Sequence, residues 1–384
     1  MGRPALCVCL AVLALAPGAN GQPQATAPGV LFSKWYLGVY RVGTSGAIQR
    51  LVGRDIHPLA VAADGTAAGV RASDRNQNGP LFLAHGATRI ELPHSTGGVW
   101  CAAFSADGTL VAYVSGKVVL TQPSPDLAYF RIDGTLWLAD VAHPDEARAI
   151  DSGTFATSEC PLPAPTGRRF AYVIRTAPDV WELRLWNGAA ATIADEQTPV
   201  PSNHDRSFAW APNGKLGFLR GDELWAGGRR IATNLKAKLA PPPKNRYGKE
   251  IDFSSDGRLL AVSVGDKTGI FRLSGQLIRV VPGHLIDWSG SQGVLTIGDT
   301  KHAIIVLRRF PLDGPSRVMA RFFKMPLVSD PAGRWFAYPV TQTGQFVFRG
   351  ADGSVIRTIL LRSIGVPIAA VDRSGRLSVP AGSY

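Results

Sequence analysis

The chain contains 384 residues, of which 45% are hydrophobic, 18% charged and 9% aromatic. That apolar fraction is typical of a folded protein and excludes an intrinsically disordered one. The 41 Lys and Arg residues exceed the 29 Asp and Glu residues by 12, so the protein is basic. Its 42 Gly and 28 Pro residues follow no period of three, which excludes collagen and favours many tight turns.

The N-terminal residues have the pattern of a secretory signal peptide. Arg3 precedes an apolar run from Ala5 to Ala16 that is too short to span a bilayer. Ala19 and Gly21 are small residues of the kind that a signal peptidase recognises, so we expect cleavage after Gly21. We therefore expect a bacterial protein that is periplasmic or secreted and does not span a membrane. The predicted segments are a signal peptide (1–21), a short linker (22–34) and one folded domain (35–384).

One sequence unit recurs along the rest of the chain. It consists of an apolar strand, a turn that ends in Gly, and a second strand rich in β-branched and aromatic residues. Its clearest copies are CAAFSADGTLVAYVS (Cys101–Ser115) and IDFSSDGRLLAVSV (Ile251–Val264). The turn glycines are Gly65, Gly108, Gly167, Gly214, Gly257, Gly290, Gly333 and Gly375. Their mean spacing of about 44 residues is typical of the blades of a β-propeller.

Two further strand-like segments follow each hairpin, which predicts four-stranded antiparallel blades. Residues 35–52 have the pattern of an outer strand pair, and the C-terminal repeat from Ala369 has the pattern of an inner pair. We therefore predict an all-β, eight-bladed β-propeller in which N- and C-terminal strands share the closing blade. Seven blades are the alternative, because the interval between Gly257 and Gly290 is short.

The segments FSADGTLVAYVS and FSSDGRLLAVSV resemble the Ser-Pro-Asp-Gly repeat of the TolB-type, WD-like periplasmic β-propellers. The resemblance covers residues 35–384, although Ala, Ser or another residue replaces Pro in most copies. It implies a propeller fold without one function, since such repeats occur in envelope scaffolds, beside serine peptidase domains and in some polysaccharide lyases. We expect the propeller alone, without the N-terminal domain of TolB and without a hydrolase domain.

Several polar residues precede the predicted innermost strands, where they would cluster at one end of a central channel. The channel-rim candidates are His57, His204, Asp205, Glu250 and His284. Imidazoles and carboxylates are suited to binding a metal or a polar ligand. A solvated rim is the favoured alternative, because no ligand spacing recurs among these residues.

Cys101 and Cys160 each lie seven residues before the turn glycine of their repeat, which predicts equivalent positions on neighbouring innermost strands. A disulfide requires Cα atoms within about 7 Å of each other. A disulfide and two free buried thiols are the alternatives that remain open, and an oxidising compartment permits the former.

Asp74, Asn76 and Asn78 match the first half of a calcium-binding loop. His85 occupies the position where such a loop requires a bidentate Glu, so a polar loop without metal is favoured. We expect no cofactor, with calcium or another divalent ion as the alternative.

A basic stretch and an insertion are the predicted docking elements. The basic residues are Arg229, Arg230, Lys236, Lys238, Lys244, Arg246 and Lys249. They are suited to an acidic protein, an anionic envelope polymer or lipid headgroups, or they serve solubility alone. The long Gly108–Gly167 interval contains a predicted loop at Pro123–Pro125, which is a second recognition element. Nucleic acid is not expected as a partner of an exported protein.

The sequence contains no G-x-S-x-G, no G-x-x-x-x-G-K-[ST] and no H-E-x-x-H motif, and we assign no catalytic residue. This favours a non-enzymatic, monomeric propeller that binds or scaffolds a protein or anionic polymer of the cell envelope. One alternative is a polysaccharide lyase or hydrolase with its site at the channel mouth. The other is a small-ligand sensor or an assembly factor.

Overall fold

The computed structural model describes residues 28–34, 37–43, 45–74, 79–124, 127–156, 160–177, 180–198, 206–240, 249–299, 305–321, 326–340, 343–360, 366–374 and 376–378. These residues form antiparallel β-strands, one short helix α1 (Leu235–Leu239) and one 3-10 turn (Ala72–Asp74). The prediction of an all-β protein is confirmed.

The strands follow one another through the whole chain. The first are β1 (Gly29–Lys34), β2 (Leu37–Gly43), β3 (Ile48–Val52), β4 (Ile56–Val61), β5 (Ala67–Arg71), β6 (Phe82–His85) and β7 (Thr88–Glu91). Next come β8 (Val99–Phe104), β9 (Leu110–Ser124), β10 (Leu127–Asp140), β11 (Arg148–Ala156), β12 (Leu162–Pro163), β13 (Phe170–Ala177), β14 (Val180–Trp186) and β15 (Ala191–Thr198). These are followed by β16 (Phe208–Trp210), β17 (Leu216–Arg220), β18 (Glu223–Ala226), β19 (Arg229–Ala232), β20 (Lys249–Phe253), β21 (Leu259–Val264), β22 (Lys267–Arg272) and β23 (Leu277–Pro282). The last are β24 (His284–Trp288), β25 (Gly293–Asp299), β26 (Ile305–Pro311), β27 (Arg317–Arg321), β28 (Val328–Ser329), β29 (Trp335–Val340), β30 (Gln345–Gly350), β31 (Val355–Leu360), β32 (Val366–Val371) and β33 (Leu377–Ser378).

Most strands form four-stranded antiparallel sheets in simple sequence order. Such sheets are β4–β7, β16–β19, β20–β23, β24–β27 and β28–β31. The same order occurs in β8–β11 and in β12–β15, but β11 also pairs with β13 at Phe155↔Ile174. Strand β12 has only two residues and contains Pro163, so it leaves most of β13 unpaired. Strand β11 takes that place, which joins the two units into one eight-stranded sheet.

Both ends of the chain meet in one five-stranded sheet of order β3-β2-β1-β32-β33. The N-terminal part supplies three strands, because Val30, Leu31 and Phe32 of β1 are fully buried between β2 and β32. Residues 29–34 thus form a strand and not part of the predicted linker, and the C-terminal repeat does not form the predicted inner pair. Instead β1 occupies the second position, and β33 pairs with the opposite edge of β32.

The turns after the first strand of each unit explain the recurring sequence motif. The Ser254 hydroxyl accepts a hydrogen bond from Leu259 N at 3.0 Å and donates one to Asp256 at 2.7 Å. Gly257 closes this turn with a φ of 68°, a left-handed conformation that favours glycine. The turn glycines that the structure describes have positive φ: Gly65, Gly108, Gly167, Gly214, Gly257, Gly290 and Gly333.

The hydrophobic core lies between successive sheets. Leu219 and Leu224 of one sheet, for example, are fully buried against Ile251 and Leu260 of the next. We call the first strand of each unit its inner strand; the inner strands are β4, β8, β12, β16, β20, β24, β28 and β32. Each of them contributes residues to the wall of one central cavity. Four-stranded sheets arranged in this way around a common channel define a β-propeller.

Candidate functional site: the central channel and its faces

The central channel contains a cavity of about 740 Å³. Its lining includes aromatic residues from neighbouring inner strands: Phe104, Phe208, Trp210, Phe253 and Trp288. The indole Nε1 of Trp210 donates to the Leu162 carbonyl at 3.1 Å, and that of Trp288 donates to the Asp252 carbonyl at 3.1 Å. These bonds between adjacent inner strands hold both indole rings in place.

The predicted rim residues occupy equivalent positions on their strands. His57, Cys101, Glu250 and His284 each lie at the fourth ladder pair from the turn. A bulge in β4 between Pro58 and Ala60 adds one residue between His57 and its turn. Among these four residues only His57 lines the cavity. His204 and Asp205 lie outside the described residues.

Glu250 and His284 are buried and bonded within the wall instead of facing the channel. Glu250 is 4% exposed, and its carboxylate accepts a hydrogen bond from Arg206 N at 3.2 Å. The Arg206 Nε atom lies 3.9 Å from the same carboxylate. His284 Nδ1 lies 3.1 Å from the Gly265 carbonyl. Both side chains therefore stabilise strand ends.

A disulfide connects Cys101 and Cys160, whose Cα atoms lie 5.3 Å apart. Both residues are buried, and Cys160 lines the cavity. The bond links two successive units at the end of the channel where their inner strands begin.

Two carboxylates that the sequence analysis missed line the channel side by side. Asp252 and Asp287 both occupy the second ladder pair from the turn, on the adjacent strands β20 and β24. The equivalent residues of the other inner strands are all apolar: Ala60, Ala103, Leu162, Ala209, Val328 and Ala370. The sequence does contain a signal for this pair. The segments IDF (251–253) and IDW (286–288) each place one Asp between apolar residues just before a turn.

The channel wall changes the acidity of this pair. Burial raises the pKa of Asp252 to about 7, and the neighbouring Asp287 adds to that rise. Burial likewise raises the pKa of Asp287 to about 6, whereas the Ser329 hydroxyl opposes that rise. The Arg206 guanidinium lowers both values without cancelling the effect of burial. Two adjacent carboxylates with raised pKa values are suited to binding a cation or to holding one shared proton.

The other predicted sites lie away from the channel cavity or beyond the described residues. Asp74 ends the 3-10 turn, and Asn76 and Asn78 are outside the described part, so the calcium loop stays a prediction. No group of three or more His, Cys, Asp or Glu side chains suited to a metal occurs among the residues that the structure describes.

The basic stretch lies partly on the outer strand β19 and partly on α1. Arg229 and Arg230 are exposed on β19, and Arg230 pairs with Glu223 at 3.0 Å. Lys236 and Lys238 are exposed on α1, which Leu235 and Leu239 anchor in the core. Lys249 begins β20 and donates to the Gly221 carbonyl. Lys244 and Arg246 lie outside the described residues.

The insertion forms a long hairpin of β9 and β10. Pro123 and Ser124 of the predicted loop lie at the end of β9, and Pro125 lies outside the described residues. Strand β9 has 15 residues, whereas the corresponding strands of the four-stranded sheets have five to seven. Beyond the pair Val119↔Arg131 the ladder continues to Leu127↔Ser124, while the last described pairing of β11 with β10 is at Arg131. These five further residues extend the hairpin by roughly 17 Å. The hairpin projects from the face of the propeller at which the inner strands begin.

Comparison with known proteins identifies no family. No family model and no curated protein matches the chain. Among solved structures, the chain is similar to the C-terminal WD40 domain of Sif2, with 15% identity, 85% of each chain covered and a TM-score of 0.49. It is similar to Chaetomium thermophilum Sqt1, solved with the N-terminus of ribosomal protein L10. The identity is 14%, the match covers 87% of this chain and 88% of that chain, and the TM-score is 0.44. It is also similar to TolB from Acinetobacter baumannii, with 12% identity and a TM-score of 0.34. That match covers 65% of this chain and 63% of that chain.

Each of these TM-scores is below 0.5, so the assignment of the fold rests on the strand order and the shared channel. Within the described part of the chain, no helix is both long enough and apolar enough to cross a membrane.

Proposed function

We propose that the protein is an exported, monomeric, eight-bladed β-propeller without catalytic activity that binds a protein or an anionic polymer of the cell envelope. The sheet shared by β1 and β32 supports a closed ring, which makes a rigid scaffold for loops. The Cys101–Cys160 disulfide supports an oxidising compartment. The intact mass of the purified mature protein tests cleavage after Gly21, and its sedimentation tests the monomer.

The observation that carries this proposal is the β9–β10 hairpin. A two-stranded extension that projects from the sheet offers its strand edges to a partner without disturbing the core. Three strands support its base, where Ile132 is fully buried.

Charge is the second contribution to the proposed interface. The chain has a formal net charge of +12. Arg229 on the outer strand β19 and Lys236 and Lys238 on α1 are exposed, and we call these three residues the basic rim. Such charge accelerates encounter with acidic partners at low ionic strength. We expect the hairpin to determine which partner binds and the basic rim to affect mainly the association rate.

Crosslinking in the cell tests the proposal with a shortened hairpin. Replacing residues 120–130 by Asn-Gly joins the paired residues Val119 and Arg131 through a two-residue turn. We expect the full-length protein to capture a reproducible envelope component and the shortened variant to lose it with an unchanged melting temperature. The matched control Lys236→Gln/Lys238→Gln retains the component in physiological salt. Equal capture by the shortened variant, or no capture by the full-length protein, contradicts the proposal.

The enzymatic alternative receives less support from the geometry. Of the side chains that a lyase or hydrolase at the channel mouth would use, Glu250 and His284 are buried and bonded to neighbouring strands. His57 alone among those described lines the cavity.

A further inference from the structure

The carboxylate pair of Asp252 and Asp287 has no part in the proposed envelope binding. It lies within the channel wall, whereas the hairpin and the basic rim are outside the channel cavity. The equivalent positions of the other inner strands are apolar, so the fold itself does not require charge here. Two like charges in a partly desolvated wall cost stability unless a partner compensates for them.

The charges of the described strands around this pair compensate it only in part. Arg206 acts on both carboxylates, but it also lies 3.9 Å from the buried carboxylate of Glu250. The other charged residues in the wall include Asp330, which pairs with Arg334 at 2.7 Å, and Arg376, which pairs with Asp372 at 2.8 Å. His57 is the only other titratable group among the described residues of the wall. Arg206 therefore faces three carboxyl groups, those of Asp252, Asp287 and Glu250.

A buried hydroxyl group beside the pair also lacks a regular partner. Ser329 lines the cavity and is 6% exposed. Its Oγ atom has no hydrogen bond of normal geometry within the described residues, although it is near enough to Asp287 to lower the pKa of that carboxyl. A buried hydroxyl without a hydrogen bond is costly, so this atom is available to a ligand that reaches the carboxylates.

The surroundings favour an organic cation over a metal ion. Calcium takes six to eight oxygen ligands, whereas the two carboxylates and Ser329 supply few and Arg206 repels a dication. Phe253 and Trp288, next to the pair in sequence, also line the cavity, and aromatic rings attract cations and pack against hydrocarbon. A cavity of about 740 Å³ is large enough for such a group together with an apolar body.

We propose that the channel binds an organic cation, a primary ammonium or guanidinium group held between Asp252 and Asp287. Ser329 accepts a further hydrogen bond from the group, and the Trp288 and Phe253 rings contact the apolar part of the ligand. The cation belongs either to a free amine or to a Lys or Arg side chain of a peptide.

Calorimetric titration of the full-length mature protein at pH 8 tests the proposal. The probes are tryptamine, its neutral analogue N-acetyltryptamine, and the dipeptide acetyl-Phe-Arg-amide. We expect saturable binding of at least one cationic probe, no binding of N-acetyltryptamine, and binding at least about tenfold weaker in Asp252→Asn/Asp287→Asn. The control Asp256→Asn removes a turn carboxylate that does not line the cavity, and it is expected to bind as the wild type does.

The outcomes distinguish the two sources of the cation and show when the proposal is wrong. Binding of tryptamine alone indicates a small amine, and binding of the dipeptide alone indicates a side chain of a peptide partner. Equal binding by the double Asn variant, or no binding of either cationic probe to the wild type, overturns the proposal. Calcium binding that requires both carboxylates, without binding of either probe, overturns it in favour of a metal site. Unaltered melting of the double variant shows that lost binding does not reflect unfolding.

Discussion

The indole Nε1 of Trp288 donates a hydrogen bond to the backbone carbonyl of Asp252 and thereby joins the two strands that carry the carboxylate pair. Trp210 makes the equivalent bond to Leu162 two inner strands earlier in the ring. The same contact thus supports two neighbouring pairs of units, but only one of them contains carboxylates.

We predict that Trp288→Phe lowers the free energy of unfolding by about 2 kcal/mol, because it removes this bond and part of a buried ring. Trp210→Phe removes the equivalent bond and is expected to cost a similar amount. Urea denaturation measures both. A cost near zero for Trp288→Phe, with the expected cost for Trp210→Phe, would contradict a structural role for the bond at the carboxylate pair.

The carboxylate pair predicts a specific dependence of stability on pH. Since the pKa values of Asp252 and Asp287 are raised on folding, the folded protein binds protons more tightly there than the unfolded chain. Their contribution is fully present below about pH 4 and is lost as the pH rises through about 6 to 7. We expect Asp252→Asn/Asp287→Asn to be more stable than the wild type at pH 8 by ~2 kcal/mol, and similar to it near pH 4.

Chemical denaturation across this pH range, followed by tryptophan fluorescence, measures the difference. Asp256→Asn is the matched control and is expected to follow the wild type. Parallel pH profiles for the double variant and the wild type would show that the two carboxylates are not destabilised by burial.

The disulfide predicts a large effect of removing both thiols. Cys101 and Cys160 are separated by 59 positions, and a cross-link over a loop of that length stabilises the folded state by about 4 kcal/mol. We expect Cys101→Ser/Cys160→Ser to lose about that much, measured by denaturant unfolding under non-reducing conditions. Adding reductant should destabilise the wild type and leave the double variant unchanged. Equal stability of the two proteins without reductant would refute this account.

The closing sheet predicts that β1 is essential to the ring. Phe32 is fully buried between β2 and β32, so Phe32→Ala is expected to cost about 3–5 kcal/mol. Removing residues 1–27 should leave the melting temperature unchanged, whereas removing residues 1–34 should unmask the edge of β32 and produce aggregation. Calorimetry and light scattering check both truncations. A soluble protein of unchanged melting temperature after the longer truncation would show that β1 does not close the ring.

The repeat and its turns were predictable because they depend on residues close together in the chain. Ser254, Asp256 and Gly257 determine a turn of their own, and the same residue types produce it again at Ser105, Asp107 and Gly108. The role of β1 was not predictable in this way. Its pairing of Val30 with Ala370 connects opposite ends of the chain, and a short apolar segment after a predicted signal peptide also fits a linker.

The candidate site likewise combines features that the sequence predicted with features that it did not. The sequence by itself determined that His57, Cys101, Glu250 and His284 lie several residues before their turns, toward the start of the inner strands. The ladder pairs of the structure showed that the four positions are equivalent. Only the tertiary structure decided that Glu250 is buried beside Arg206 while His57 lines the channel, since burial depends on the packing of neighbouring sheets. It also decided that Asp252 and Asp287 share one wall. Their proximity arises from the ring that places consecutive inner strands side by side, and each Asp taken alone resembles an ordinary polar residue next to a turn.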